Sequence, residues 1–194
     1  MNKVRYGLSN VHISKLTEKD GVYIWEKPKA MPGAKSIKLD AEGDQNIFYA
    51  DDKAYYVTST NNGYSGSLEV ALLPDWFLEE YMGYVRDSKG NLVEDASAQP
   101  MPFALLFQFK GDVKAIKHCI YSVKPSRLSM GGDTTEGTTE PQTDELPFTA
   151  PPITVDGRNY VKVKTTDDTE EEVYGKWFDT APIAPELVAE TPEA

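Results

Sequence analysis

The sequence predicts a mainly β fold, a β-sandwich or partly closed β-barrel with one flanking α-helix. Three observations lead there. Short runs of alternating apolar and polar residues recur between turn signals, as in all-β domains. A single stretch, after Pro74, carries apolar residues at helical spacing. The composition, 40% apolar and 11% aromatic, supplies core builders, yet no apolar run approaches the roughly 20 residues needed to cross a bilayer. The 194 residues suit one domain with an extension: a compact unit over 1–180, then a flexible acidic tail over 181–194.

Taken in order, Val11 and Ile13 alternate with His12 and Ser14, Val22 and Ile24 with Tyr23 and Trp25, and Ile37 and Leu39 with Lys38 and Asp40. Further strands are expected over 54–60, 67–73, 103–109, 115–124, 159–165 and 173–178. Asp87 to Asn91 and Lys110 to Asp112 read as hairpin turns. In the helix, Pro74 suits the first position, Asp75 and Glu79 lie toward the positive N-terminal end, and Gly83 is a left-handed stop. Its stripe is Phe77, Leu78, Tyr81 and Met82, with Glu79 and Glu80 facing away. Residues 131–145, rich in Gly, Thr and Glu, read as a mobile acidic loop. Pro182, Pro185 and Pro192 mark the tail as extended or unfolded.

Several strands carry large apolar side chains on both faces. Tyr23 and Trp25 oppose Val22 and Ile24, and Cys119, Tyr121 and Val123 oppose Ile116 and Ile120. A sheet with two apolar faces needs two covers. One is a second sheet; the helix and a neighbouring subunit are the candidates for the other.

The net charge of -11 is localised. Residues 1–130 hold 16 Lys and Arg against 16 Asp and Glu, whereas residues 131–194 hold 4 against 15. A chain this acidic repels phosphate, because nucleic-acid binders draw their affinity from Lys and Arg. The first residues, Met1 to Tyr6, lack the apolar run of a secretory signal, so synthesis in the cytoplasm is expected.

The sequence offers little for catalysis. His12 and His118 are the two histidines, and His118 adjoins Cys119 in a strand, where neighbours point to opposite faces. A lone cysteine rules out an internal disulfide and supplies too few sulfur ligands for structural zinc. Asp40, Glu42 and Asp44 alternate as calcium ligands do, with Asp51 further on, but the glycine is misplaced and a solvated inter-strand loop is the better reading. Gly63-Tyr64-Ser65-Gly66 lacks the spacing of a nucleophile elbow. No catalytic, cofactor or metal site is assigned, and the chain is read as a non-enzyme.

The residues do carry a resemblance. Asn2-Lys3-Val4 through Gly7-Leu8-Ser9-Asn10-Val11-His12, Leu39-Asp40-Ala41-Glu42-Gly43-Asp44 and Phe48-Tyr49-Ala50-Asp51 resemble the major tail proteins of long-tailed, non-contractile phages and prophages of Gram-positive bacteria. Tyr55-Tyr56, Asn62 to Gly66, Leu68 to Asp75 and Pro102 to Phe107 extend the match, and Thr139 to Thr143 looks like the segment before a late strand. The likeness spans about 2–165 in collinear order. It implies a siphovirus tail tube protein: a structural virion protein, made in the host bacterial cytoplasm, that forms hexameric rings stacked into the tail tube. Its implied partners are further copies of itself, a tape-measure protein and tail-end proteins, with DNA passing through unbound and no membrane involved.

Two sets of residues become candidates on this basis. The connection from Ala41 to Gly66 holds more apolar surface than a solvated loop should, so Phe48, Tyr49, Tyr55 and Tyr56 are the expected inter-subunit contacts. Glu69 and Asp112, in or beside strong strands, are the candidate lumen carboxylates. The competing class is a carbohydrate-binding β-sandwich, motivated by Trp25, Trp76, Trp177 and 11 tyrosines.

Overall fold

The computed structural model describes residues 2–134 and 141–185. The chain runs through β1 (Arg5–Lys19), β2 (Val22–Trp25), β3 (Lys29–Ala30), β4 (Ala34–Glu42), β5 (Gln45–Ala50), β6 (Lys53–Ser59) and β7 (Gly63–Val70), then α1 (Asp75–Tyr81). After it come β8 (Val85–Arg86), β9 (Leu92–Val93), β10 (Phe103–Gly111), β11 (Ile116–Pro125), β12 (Asp144–Ala150), β13 (Ile153–Val155), β14 (Arg158–Tyr160), β15 (Lys162–Lys164) and α2 (Glu171–Gly175). The fold is mainly β, as expected. The large antiparallel sheet runs in the order β2-β1-β10-β11-β12-β7-β4, with β3 and β15 pairing β1 and β11 off that path, and it does not close into a barrel.

The sheet turns a corner at the end of β11. Its body pairs with β10 and β15, while Lys124 and Pro125 pair with Thr149 and Phe148 of β12. This brings β12, β7 and β4 across from β1, β10 and β11, and the space between fills with apolar side chains. Val11, Ile13, Phe103, Leu105, Phe107, Ile120 and Val123 meet Leu68, Val70, Leu146 and Phe148 there. Helix α1 closes one side: Phe77 and Tyr81 stack on each other and meet Phe103 edge-on, with centroids 5.8 and 5.5 Å away.

The helix starts and stops on its local chemistry. Pro74, with φ -70° and ψ 145°, sits one position before the first helical residue rather than in it. Gly83 adopts φ +76°, where a side chain would be strained, and lets the Tyr84 amide reach back to the Leu78 carbonyl oxygen at 3.0 Å. Arg86 then binds Asp75 and Glu79 of the exposed face.

The outer face of β1, β10 and β11 is covered by the chain itself. Alternation sends Ala104, Leu106, Cys119 and Tyr121 outward, and they pack with Leu16, Trp25 and Ile153 beneath Trp177, Phe178, Ala181 and Ala184. Helix α1 takes no part in this cluster. The expected strand over 173–178 is absent: Glu171 to Gly175 form α2, followed by a turn. Three consecutive glutamates, Glu170 to Glu172, favour a helix N-terminus, and Lys176 pairs with Glu172 at 2.7 Å one turn on. Packing continues past residue 180 to Ala184, and the remaining tail, 186–194, lies outside the described residues. The acidic loop ends before Asp144, where β12 begins, and its residues 135–140 also lie outside.

The paired covers make the inner cluster the main source of stability. Phe77→Ala, at a fully buried site, is expected to cost about 3–5 kcal/mol in urea denaturation.

Candidate functional site

Strands β4 to β7 form one long ribbon. β4 pairs with β7 from Ala34↔Val70 to Glu42↔Gly63, and β5 pairs with β6 from Gln45↔Ser59 to Ala50↔Lys53. Between the two ladders the Asn62 amide donates to the Glu42 carbonyl oxygen at 2.8 Å and the Thr60 amide to that of Asp44 at 2.9 Å. Gly43 sits at this junction because a Cβ there would lie 2.0 Å from the Thr60 carbonyl oxygen. At the tip, Asp51 and Asp52 both take left-handed φ values, 51° and 56°, the requirement of a tight two-residue hairpin turn.

The two halves of the ribbon differ in burial. Toward the base, Leu68 and Val70 enter the core and Ile37 and Leu39 pack against it. In the distal arm every residue of β5 and β6 except Ala50 is exposed. The arm is nevertheless apolar: Ile47 opposes Val57 and Phe48 opposes Tyr56, and these two pairs fall on opposite faces. Phe48 and Tyr56 are each 62% exposed, Tyr49 64% and Tyr55 74%. The structure thus brings the four candidate contact residues together on one projecting element. The strand β5 itself went unread in the sequence, although its turn, Asp51-Asp52, is a weaker relative of the Asn-Gly signal.

The alternating acidic residues Asp40, Glu42 and Asp44, with Asp51, are dispersed along this ribbon. Asp40 and Glu42 belong to β4 rather than to a loop, Asp51 is at the far tip, Asp40 pairs with Lys38 at 2.7 Å, and Glu42 accepts from Ser65 Oγ at 2.5 Å. Among the described residues no group of three or more His, Cys, Asp or Glu is placed to hold a metal.

Glu69 and Asp112 are both engaged within the chain. Glu69, on β7, accepts hydrogen bonds from Lys35 Nζ (2.7 Å), Thr143 Oγ1 (2.6 Å) and Ser36 Oγ (2.9 Å). These bonds, led by that from Lys35, hold its carboxyl down to about 2. Asp112, in the β10–β11 turn, accepts from the Lys3 amide at 2.9 Å. Beside it Asn2 Oδ1 accepts from the Val113 and Lys114 amides, tying the N-terminal segment to that turn.

The histidines and the cysteine serve packing. His118 stacks on Phe107 with centroids 5.1 Å apart and meets Phe109 edge-on. Burial, with lesser contributions from Lys162, Arg5 and Lys164, pushes its pKa down to about 4. His12 stacks on Phe178 at 4.8 Å, and its Nδ1 lies 3.0 Å from the Asn10 carbonyl oxygen. Cys119 is buried, which pushes its thiol pKa up. No family model matches the sequence, and no curated protein matches it either.

The Glu69 cluster carries a pH signature. Its folded pKa lies near 2, below the ordinary 4.5, so its stabilising effect is present above pH 4.5 and is lost as pH falls through about 2. Glu69→Gln is therefore expected to lower Tm modestly above pH 4.5, and the difference from the parent should vanish near pH 2.

Proposed function

We propose that this protein is a structural virion component, a major tail protein whose copies form hexameric rings stacked into a tail tube. The observation that carries the reading is the distal arm. A two-stranded hairpin alone is marginal in water, and this one carries exposed apolar and aromatic side chains on both faces, with Phe48, Tyr49, Tyr55 and Tyr56 each more than 60% exposed. Such a surface fits an element meant for burial between copies of the chain. The resemblance of residues 2–165 to siphovirus tail tube proteins supplies the class of assembly, with the tape-measure and tail-end proteins as further partners.

A carbohydrate-binding role draws less support. A sugar platform needs an open aromatic face, but Trp25 is buried and donates through Nε1 to the Tyr121 carbonyl oxygen. The Lys29 ammonium stands 3.8 Å over the Trp76 ring, and Trp177 packs in the outer cluster.

In a tube the lumen should carry net negative charge, so that within about a Debye length, roughly 8 Å, it holds DNA phosphates off the wall. Lys35 offsets the charge of Glu69, which leaves Asp112 the freer of the two candidates.

Negative-stain electron microscopy of the concentrated protein tests the assignment: rings or hollow tubes are expected, and persistently dispersed monomers would overturn it. Replacing Phe48 and Tyr49 by Ser should change the stability of the free subunit by no more than about 0.5 kcal/mol, as at other exposed sites. The same variant should assemble poorly. Tubes formed as readily as by the parent would remove the arm as a principal contact.

A further inference from the structure

Strand β15 lays two lysines over one open end of the sandwich, beside the root of the arm. Lys162 pairs with β11 of one layer, and its Nζ reaches across to stand 4.2 Å from the ring centroid of Tyr64, on β7 of the other. The Arg5 guanidinium sits 4.9 Å over the Phe109 ring, which meets His118 edge-on at 5.6 Å. Lys164 lies opposite His118 in the β11–β15 ladder. All three cations act on His118 and oppose its protonation, so they form one cluster. Each is exposed, and among the described residues none is paired with a carboxylate. Beneath them Leu8, Tyr64 and Phe109 are only partly buried at the edge of the inner core. The result is a basic mouth with an aromatic floor.

We propose that this mouth receives the tip of the β5–β6 arm from a second copy of the chain. The inference rests on the tail-tube reading and deepens it, by naming the surface that the arm meets. Three observations select this occupant. The tip carries Asp51 and Asp52, both exposed and with side chains that have no hydrogen-bond or ion-pair partner among the described residues. Even with Lys53 beside them the tip is net negative, against three cations at the mouth. Behind the tip Tyr49 and Tyr55 are 64% and 74% exposed, rings that match the aromatic floor, and aromatic side chains and Arg are the groups that interfaces favour. The arm is also too long to turn back on its own mouth: Tyr64 lies opposite Ala41 at the root, and the chain from Ala41 to Asp51 spans roughly 30 Å of extended strand.

Tip and mouth are thus different parts of one chain, so the contact is head-to-tail and repeats from copy to copy. Such contacts close rings or build filaments. Opposite charge steers the encounter and fixes its register.

Carbodiimide, a zero-length reagent that joins a carboxylate to an amine, tests the contact on the unaltered protein. Particles assembled from an equal mixture of unlabelled and heavy-nitrogen-labelled chains are cross-linked, digested and read by mass spectrometry. Asp51 or Asp52 is expected to join Lys162 or Lys164 in mixed-isotope pairs, in the assembled fraction and not in dilute subunit. Particles whose arm tip joins other lysines, or none, would overturn the proposal and leave the tail-tube reading standing. Failure to form particles at all would overturn both. In a second measurement, Lys162→Glu combined with Lys164→Glu should lower particle yield about tenfold, because like charges then face each other, while the Tm of the free subunit changes little. A parent-like yield would contradict the contact. Retention of duplex DNA by the dilute parent, lost in the same variant, would assign the mouth to phosphate and overturn the proposal as well.

Discussion

The architecture depends on one constraint: β1, β10 and β11 carry apolar side chains on both faces, and each face must be kept from water. Leu105 and Phe107 point one way, Ala104 and Leu106 the other, with all four buried. An antiparallel layer of this kind has no solvated side. The chain meets the requirement twice with unlike materials. The inner face receives a second layer of strands and helix α1, which builds a continuous core. The outer face receives short hairpins and a C-terminal segment, held by Trp177, Phe178 and the small residues Ala181 and Ala184.

The outer cover is fastened by cations. Lys117 is largely buried, yet its ammonium donates to the Tyr174 carbonyl oxygen at 2.5 Å and lies 4.0 Å from the Tyr174 ring centroid. Lys114 faces the same ring at 3.7 Å and pairs with Glu171. Tyr174 Oη donates to the carbonyl oxygen of Ala115, just before β11, at 3.0 Å, so the backbone carbonyl and the side chain of one residue both tie α2 to the start of that strand. With each sheet face covered from within, the distal half of the β4–β7 ribbon is left without a role in the monomer core. It projects as an element whose aromatic side chains are exposed, a surface that suits burial against another copy in the proposed assembly.

Legibility in the sequence followed local consistency. Strands β10 and β11 could be read because β-branched and aromatic residues fill long runs between clear turns. Helix α1 could be read because Pro74 and Gly83 bracket a stripe that includes Phe77 and Tyr81. The segment 173–178 misled because Val173, Tyr174, Trp177 and Phe178 favour strands individually, while the preceding glutamates and the need to lay Trp177 on the sheet decided for a helical turn. β5 was obscured by three consecutive apolar residues, Ile47, Phe48 and Tyr49, which show no alternation. The identity of the second cover was not legible, since contact between Trp177 and β11 joins residues far apart in the chain. For the site, the four aromatics were found by their excess of apolar surface, whereas the partners of Glu69 are long-range and appear only in the fold.

In the proposed assembly the arm is exposed in the free subunit and buried between copies of the chain. Hydrogen–deuterium exchange of residues 45–59, compared between dilute subunit and assembled particles, tests it most directly. Fast exchange of these amides is expected in the free chain, with strong protection after assembly and unchanged protection of β10 and β11. Arm amides that exchange as fast in the assembly as in the free subunit, or that are already protected like the core in the free subunit, would contradict it.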